Sequence, residues 1–107
     1  MVTSFASGSI STTTAEKVVF DVTADEFFTT WMFAHNMQSG DTVIIRVYVK
    51  DQDSAVMRIA SSHTLTGVQD PPGLFIPFVP SKQYKVTIQR TGGSQRTYTW
   101  LRSETTQ

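Results

Sequence analysis

The chain has no cysteine, which excludes a disulfide framework, a thiolate metal site and a cysteine nucleophile together. It also argues against a small secreted eukaryotic domain, because such domains are ordinarily stapled. Net charge is missing as well: nine basic side chains offset nine acidic ones, and they are spread along the chain. With no basic stripe to neutralise phosphates, nucleic acid is not expected as a partner. A neutral protein has little colloidal repulsion, which suits a life spent in an assembly. No apolar run approaches the ~18 residues of a membrane span, so no membrane partner is expected. The start, Met1-Val2-Thr3-Ser4-Phe5, lacks the basic and apolar regions of a signal peptide, and synthesis in a cytoplasm without classical export is expected.

Catalytic and metal-ligating patterns are equally scarce. His35 and His63 are the only histidines, and neither has a carboxylate or second histidine at ligand spacing. Asp51 and Asp53 share calcium-loop spacing, but the sixth and twelfth positions are Val56 and Ser62, where an EF-hand needs Gly and Glu. There is no Gly-x-Ser-x-Gly elbow, and Ser7-Gly8-Ser9 lies where no scaffold would hold a nucleophile and base in register. Glu16, Glu26 and Glu104 are the only glutamates, each beside a terminal or turn segment, so no glycosidase pair is legible. The expectation is a non-enzyme with no cofactor and no metal.

What is present is strand after strand. In Gly40-Asp41-Thr42-Val43-Ile44-Ile45-Arg46-Val47-Tyr48-Val49-Lys50, Val43, Ile45, Val47 and Val49 share one face. Ile44, Arg46, Tyr48 and Lys50 share the other, a period of two that marks a strand with one buried side. Lys17-Val18-Val19-Phe20-Asp21-Val22-Thr23 is a β-branched first strand. Thr23-Ala24-Asp25-Glu26 has the form of a helix capping box, and Phe27, Phe28, Trp31, Met32 and His35 would line a helical face. Yet Thr30, Met32 and Ala34 also alternate with Trp31, Phe33 and His35, which favours a turn at Ala24-Asp25 and a strand over residues 28–34. Residues 55–66 are β-type. Asp70-Pro71-Pro72-Gly73 breaks the chain, and the prolines of Leu74-Phe75-Ile76-Pro77-Phe78-Val79-Pro80 confine that stretch to a sheet edge or a non-sheet strap. Phe75 and Phe78 are its largest apolar groups. Tyr84, Val86 and Ile88 alternate inward, Thr91-Gly92-Gly93-Ser94 reads as a hairpin turn, and residues 95–102 return with Tyr98 and Trp100 on one face.

A chain of 107 residues is one domain. The expected fold is all-β: an antiparallel β-sandwich of jelly-roll or Greek-key type, with six or seven strands and an extended N-terminal arm. Residues 1–15 contain eight Ser or Thr, too little apolar surface for a private core. They are expected as an arm that orders on a neighbour through Phe5 and Ile10. Both would point one way if the strand kinks near Gly8. The sandwich then spans residues 16–104, and residues 105–107 form a polar tail. Tyr48 falls outward beside Ile44, and such a pair on a central strand suggests a partner.

The stretch Ser39-Gly40-Asp41-Thr42-Val43-Ile44-Ile45-Arg46-Val47-Tyr48-Val49, with Gln69-Asp70-Pro71-Pro72, Phe75-Ile76-Pro77-Phe78 and Tyr84-Lys85-Val86-Thr87-Ile88-Gln89-Arg90-Thr91-Gly92-Gly93, resembles small β-sandwich structural proteins of tailed viruses (bacteriophages). The resemblance covers residues 39–102. It implies a virion protein, foremost a capsid decoration or cement protein, otherwise a tail or fibre component, that oligomerises and contacts the major capsid protein or other virion proteins. Such proteins have no catalytic residues to carry over. The alternative expectation is a carbohydrate-binding or adhesive module that stacks sugars on Tyr48, Trp31 or Trp100.

Overall fold

The computed structural model describes residues 3–50, 52, 55–70 and 73–106, without the side chains of Thr3, Pro77, Phe78 and Thr106. Six antiparallel strands account for most of them: β1 (Thr3–Ser11), β2 (Lys17–Phe33), β3 (Thr42–Lys50), β4 (Arg58–Thr66), β5 (Gly73–Gly92) and β6 (Thr97–Thr106). They form a sheet in the order β1-β6-β2-β5-β3-β4. Only β3 and β4 are joined as neighbours; the other four connections each pass over one strand. The all-β antiparallel expectation holds, and the described residues contain no helix.

Two long strands turn this sheet into a sandwich. Residues 26–33 of β2 pair with β6 on one side and with the first half of β5 on the other. Residues 17–23 of β2 pair with the second half of β5, which in turn pairs with β3. The register shifts between Thr23 and Glu26, so Ala24-Asp25 is a bulge within one continuous strand, not the expected turn. A bulge bends its strand and raises local twist. Folding at this crease sets β1, β6 and the adjoining halves of β2 and β5 over β3, β4 and the remaining halves. Phe20 reaches Trp100 across the gap at 5.0 Å between ring centroids. The shortest Cα extent, 18 Å, suits two layers about 10 Å apart.

The core follows the alternation. Val43, Ile45, Val47, Tyr84, Val86, Ile88 and Tyr98 are buried, as their period of two required. Phe28 stacks on Tyr84 at 4.6 Å and 3°, and the Tyr84 hydroxyl shares a 2.7 Å hydrogen bond with buried Thr30. Burial pushes the Tyr84 phenol up to about 12.

Three further expectations change. Residues 3–11 are not a free arm: β1 pairs with β6 from Thr3 opposite Thr105 to Ser11 opposite Thr97 with no register shift. The kink near Gly8 is therefore absent, Phe5 and Ile10 lie on opposite faces, and Ile10 is buried at 8% exposure. Small residues suffice on the inner side of β1 because β6 supplies the bulk there. A Cβ on Gly8 would stand 2.9 Å from the Trp100 indole. Residues 12–14 are held as well, by Thr12 N–H to the Arg96 carbonyl, Arg90 N–H to the Thr13 carbonyl, and Gln89 Nε2 to the Thr14 carbonyl.

Residues 91–94 do not close a hairpin, since β2 lies between β5 and β6. Gly93 takes φ +81°, and a Cβ there would fall 2.1 Å from Asp41 Oδ1. Asp41 is the reason: its carboxylate accepts from Gln38 N–H, Ser94 N–H and Arg96 Nε, and its carbonyl accepts from Gly67 N–H. One residue, through its carboxylate and its carbonyl, thereby gathers three connections at one end of the sandwich.

The apolar strap enters the sheet as the first half of β5, which pairs with β2 alone and so forms an edge. Pro80 lies opposite Phe27 on that edge, and Pro77 falls at a register shift, where missing N–H donors do least harm. Pro71 and Pro72 lie outside the described residues. At the C-terminus, β6 continues through Thr106, so the polar tail expected from residue 105 does not begin there.

Candidate docking face

Residues opposite one another in a sheet share a face, so the register fixes what the layer of β1, β6, β2 and β5 presents outward. One row runs Ser7, Leu101, Trp31, Phe75, and the next runs Ser9, Thr99, Phe33, Gly73. A further row carries Phe5, Ser103 and Thr29. None of these side chains is charged. Phe5 is 72% exposed, Phe75 44% and Trp31 38%, while Phe33, Phe27 and Leu101 are half-buried. Trp31 lies 4.3 Å from Phe75 and, nearly parallel at 7°, 6.2 Å from Phe33. Gly73 opposite Phe33 leaves the ring uncovered, since even a Cβ there would meet only ring carbons at 3.8 Å or more.

This is an unusual surface for a small sandwich. An antiparallel sheet with one solvated face normally turns polar residues outward. Here β2 places Phe28, Thr30 and Met32 inside and Phe27, Trp31 and Phe33 outside, making both faces apolar. A contiguous apolar patch marks a place where another surface sits.

On the opposite outer face Val18 and Ile59 are exposed singly, opposite Thr87 and Tyr48, and the polar groups satisfy one another. Glu16 Oε2 accepts from the Tyr48 hydroxyl at 2.6 Å and from Thr87 Oγ1, with Arg46 Nη1 at 3.7 Å. Arg46 also donates to Gln89, and Lys85 lies 4.5 Å over the Tyr48 ring. The two hydroxyls, Thr87 first, hold the Glu16 carboxyl below its ordinary range, and the same carboxylate raises the Tyr48 phenol. Ile44 beside it is half-buried.

The six residues expected to meet partners are thus dispersed. Phe5 and Phe75 lie on the aromatic face, Ile10 is in the core, and Ile44 and Tyr48 belong to the polar face. The Phe78 side chain lies outside the described residues. Sequence reasoning placed Trp31 only as a sugar platform and missed Phe33 and Leu101. The signal was present in residues 27–33, where aromatics occupy both parities of a strand.

Two polar features remain. Arg102 stacks over Phe20 at 4.8 Å and stands 2.6 Å from Glu104 Oε1, off the N–H direction, a charge contact between the layers. Burial, and then Glu104 nearby, raise the Glu26 carboxyl. At the Asp41 end, His35, Asn36, Gln38, Gln95, Arg96 and Thr97 line a shallow concavity. Among the described residues, no three His, Asp or Glu side chains gather as a metal site.

Comparisons with protein-family models, curated proteins and solved structures return no match.

Proposed function

We propose that this protein is a non-catalytic structural component of a virion, foremost a capsid decoration or cement protein, that docks through the aromatic outer face of β1, β6, β2 and β5. The observation that carries the reading is the uncharged face with exposed Phe5, Trp31 and Phe75, set against an opposite face whose charges are already paired. Such division suits a protein seated on a shell, with one side against neighbouring subunits and the other toward water. The contact once expected of an N-terminal arm is carried instead by a strand and the sheet behind it.

Co-sedimentation with purified virus particles tests this. The wild-type chain should be retained at a fixed ratio to the major capsid protein, and Trp31→Ser/Phe75→Ser should be lost from particles while remaining folded. Absence of the wild-type chain from particles would remove the proposal.

A second reading draws support from the near-parallel Trp31 and Phe33 rings. Ring faces carry partial negative charge and attract the C–H bonds of a sugar. Of the three platforms expected from sequence, Trp31 is the one left available. Trp100 packs on Gly8 and Phe20, and Tyr48 is engaged by Glu16 and Lys85. A glycan array with wild type and Trp31→Ser separates the readings: binding lost in the variant favours a carbohydrate module.

A further inference from the structure

The folded sheet has four exposed edges, and the chain treats them differently. An unpaired strand edge is a template for another strand, and proteins blunt it with proline, charge or a bulge. Residues 17–23 of β2, paired with β5 alone, carry Lys17 and Asp21 and a register shift between Val18 and Phe20. The first half of β5 carries Pro77 and Pro80 and a register shift. The β4 edge carries Arg58 and His63, with a register shift where it meets Val47 and Tyr48. β1 has none of these devices. Its nine residues, Thr-Ser-Phe-Ala-Ser-Gly-Ser-Ile-Ser, include no charge and no proline, and its ladder with β6 runs without a shift.

We infer that β1 pairs with β1 of a second copy of this chain, antiparallel, about a two-fold axis normal to the sheet. A strand set against its own copy meets its own charges, and like charges directly opposite repel. β1 is the described edge strand with neither a charge to oppose nor a proline to interrupt the ladder, and the chain as a whole is neutral. A two-fold of this kind keeps outer faces outward only when opposed residues share parity. Centring on Ser7 satisfies that rule and pairs all nine residues. Phe5 then lies opposite Ser9 of the partner subunit, whose small hydroxyl leaves room for the ring. The two aromatic faces join into one eight-strand surface, β5-β2-β6-β1 followed by its two-fold copy. The inference goes beyond the proposed function and gives a geometry to the oligomerisation that the resemblance to virion proteins implies. It is tested on the free protein, so each can fail alone: a monomer that binds particles removes only the dimer, and a dimer that ignores particles removes only the virion role.

Sedimentation equilibrium over a micromolar-to-millimolar series should give twice the 11.9 kDa chain mass. Ser7→Lys, which sets two ammonium groups face to face at the axis, should return the single-chain mass with unchanged circular dichroism and melting. Ser62→Lys on β4 should leave the dimer intact. Because the chain has no cysteine, Ser7→Cys supplies an independent reading. Directly opposed residues lie about 4.5–5.5 Å apart between Cα atoms, within disulfide reach. Mild oxidation should therefore link Ser7→Cys into a covalent dimer and leave Ser62→Cys unlinked. A wild type of single-chain mass throughout, or a dimer that survives Ser7→Lys and links through Ser62→Cys, would overturn the inference.

Discussion

A carboxylate with three donors aimed at it gives up its proton readily, and Asp41 is held at about 2, against an ordinary 3.8, foremost by Arg96 and then by Gln38 N–H. A depressed folded-state value means that the stabilisation is complete above about pH 4 and is lost as pH falls through about 2. Melting temperature should therefore drop across that window, and Asp41→Asn should melt lower at neutral pH while showing a shallower acid decline. Gly93 answers to the same carboxylate. Gly93→Ala should destabilise by at least about 1–2 kcal/mol from the left-handed backbone alone, with more added because Asp41 must move; urea unfolding reads the difference. In the core, Tyr84→Phe leaves the buried Thr30 hydroxyl without its partner and should cost about 1–3 kcal/mol. The same unfolding series checks this.

At the scale of the element, β3 was legible because its alternation is clean and its neighbours on both sides are strands. β1 was not, because its inner residues are small for a reason that sits elsewhere in the chain: Trp100 of β6 fills the space above Gly8. Composition alone then reads as an arm. The crease in β2 was half legible, since Ala24-Asp25 is a break in pattern, but bulge and turn look alike until β5 supplies a partner running past both sides. Gly92-Gly93 reads as a hairpin for a similar reason, because nothing local announces that Asp41 will occupy the left-handed corner. Deletion of residues 1–14 accordingly has the opposite expected outcome from that for a free arm. Tyr98 and Trp100 would lose their cover, and the truncated chain should lose its cooperative unfolding transition. A truncated protein with native melting would return β1 to the status of an appendage.

For the whole molecule, the informative contrast is between two outer faces of one sandwich. The polar face was read from Ile44 and Tyr48 as a partner surface because Glu16, which engages Tyr48, comes from a connection far away in sequence. The aromatic face was only partly legible, since Phe5, Trp31 and Phe75 lie on three different strands and become one patch only through the order β1-β6-β2-β5. On the proposed function this patch is covered in an assembly. A particle image at side-chain resolution tests it most directly. This chain should lie on the shell with Trp31 and Phe75 against a neighbouring subunit and the Glu16–Tyr48 face toward solvent. Density that leaves Trp31 and Phe75 facing solvent, or a shell without this chain, would contradict it.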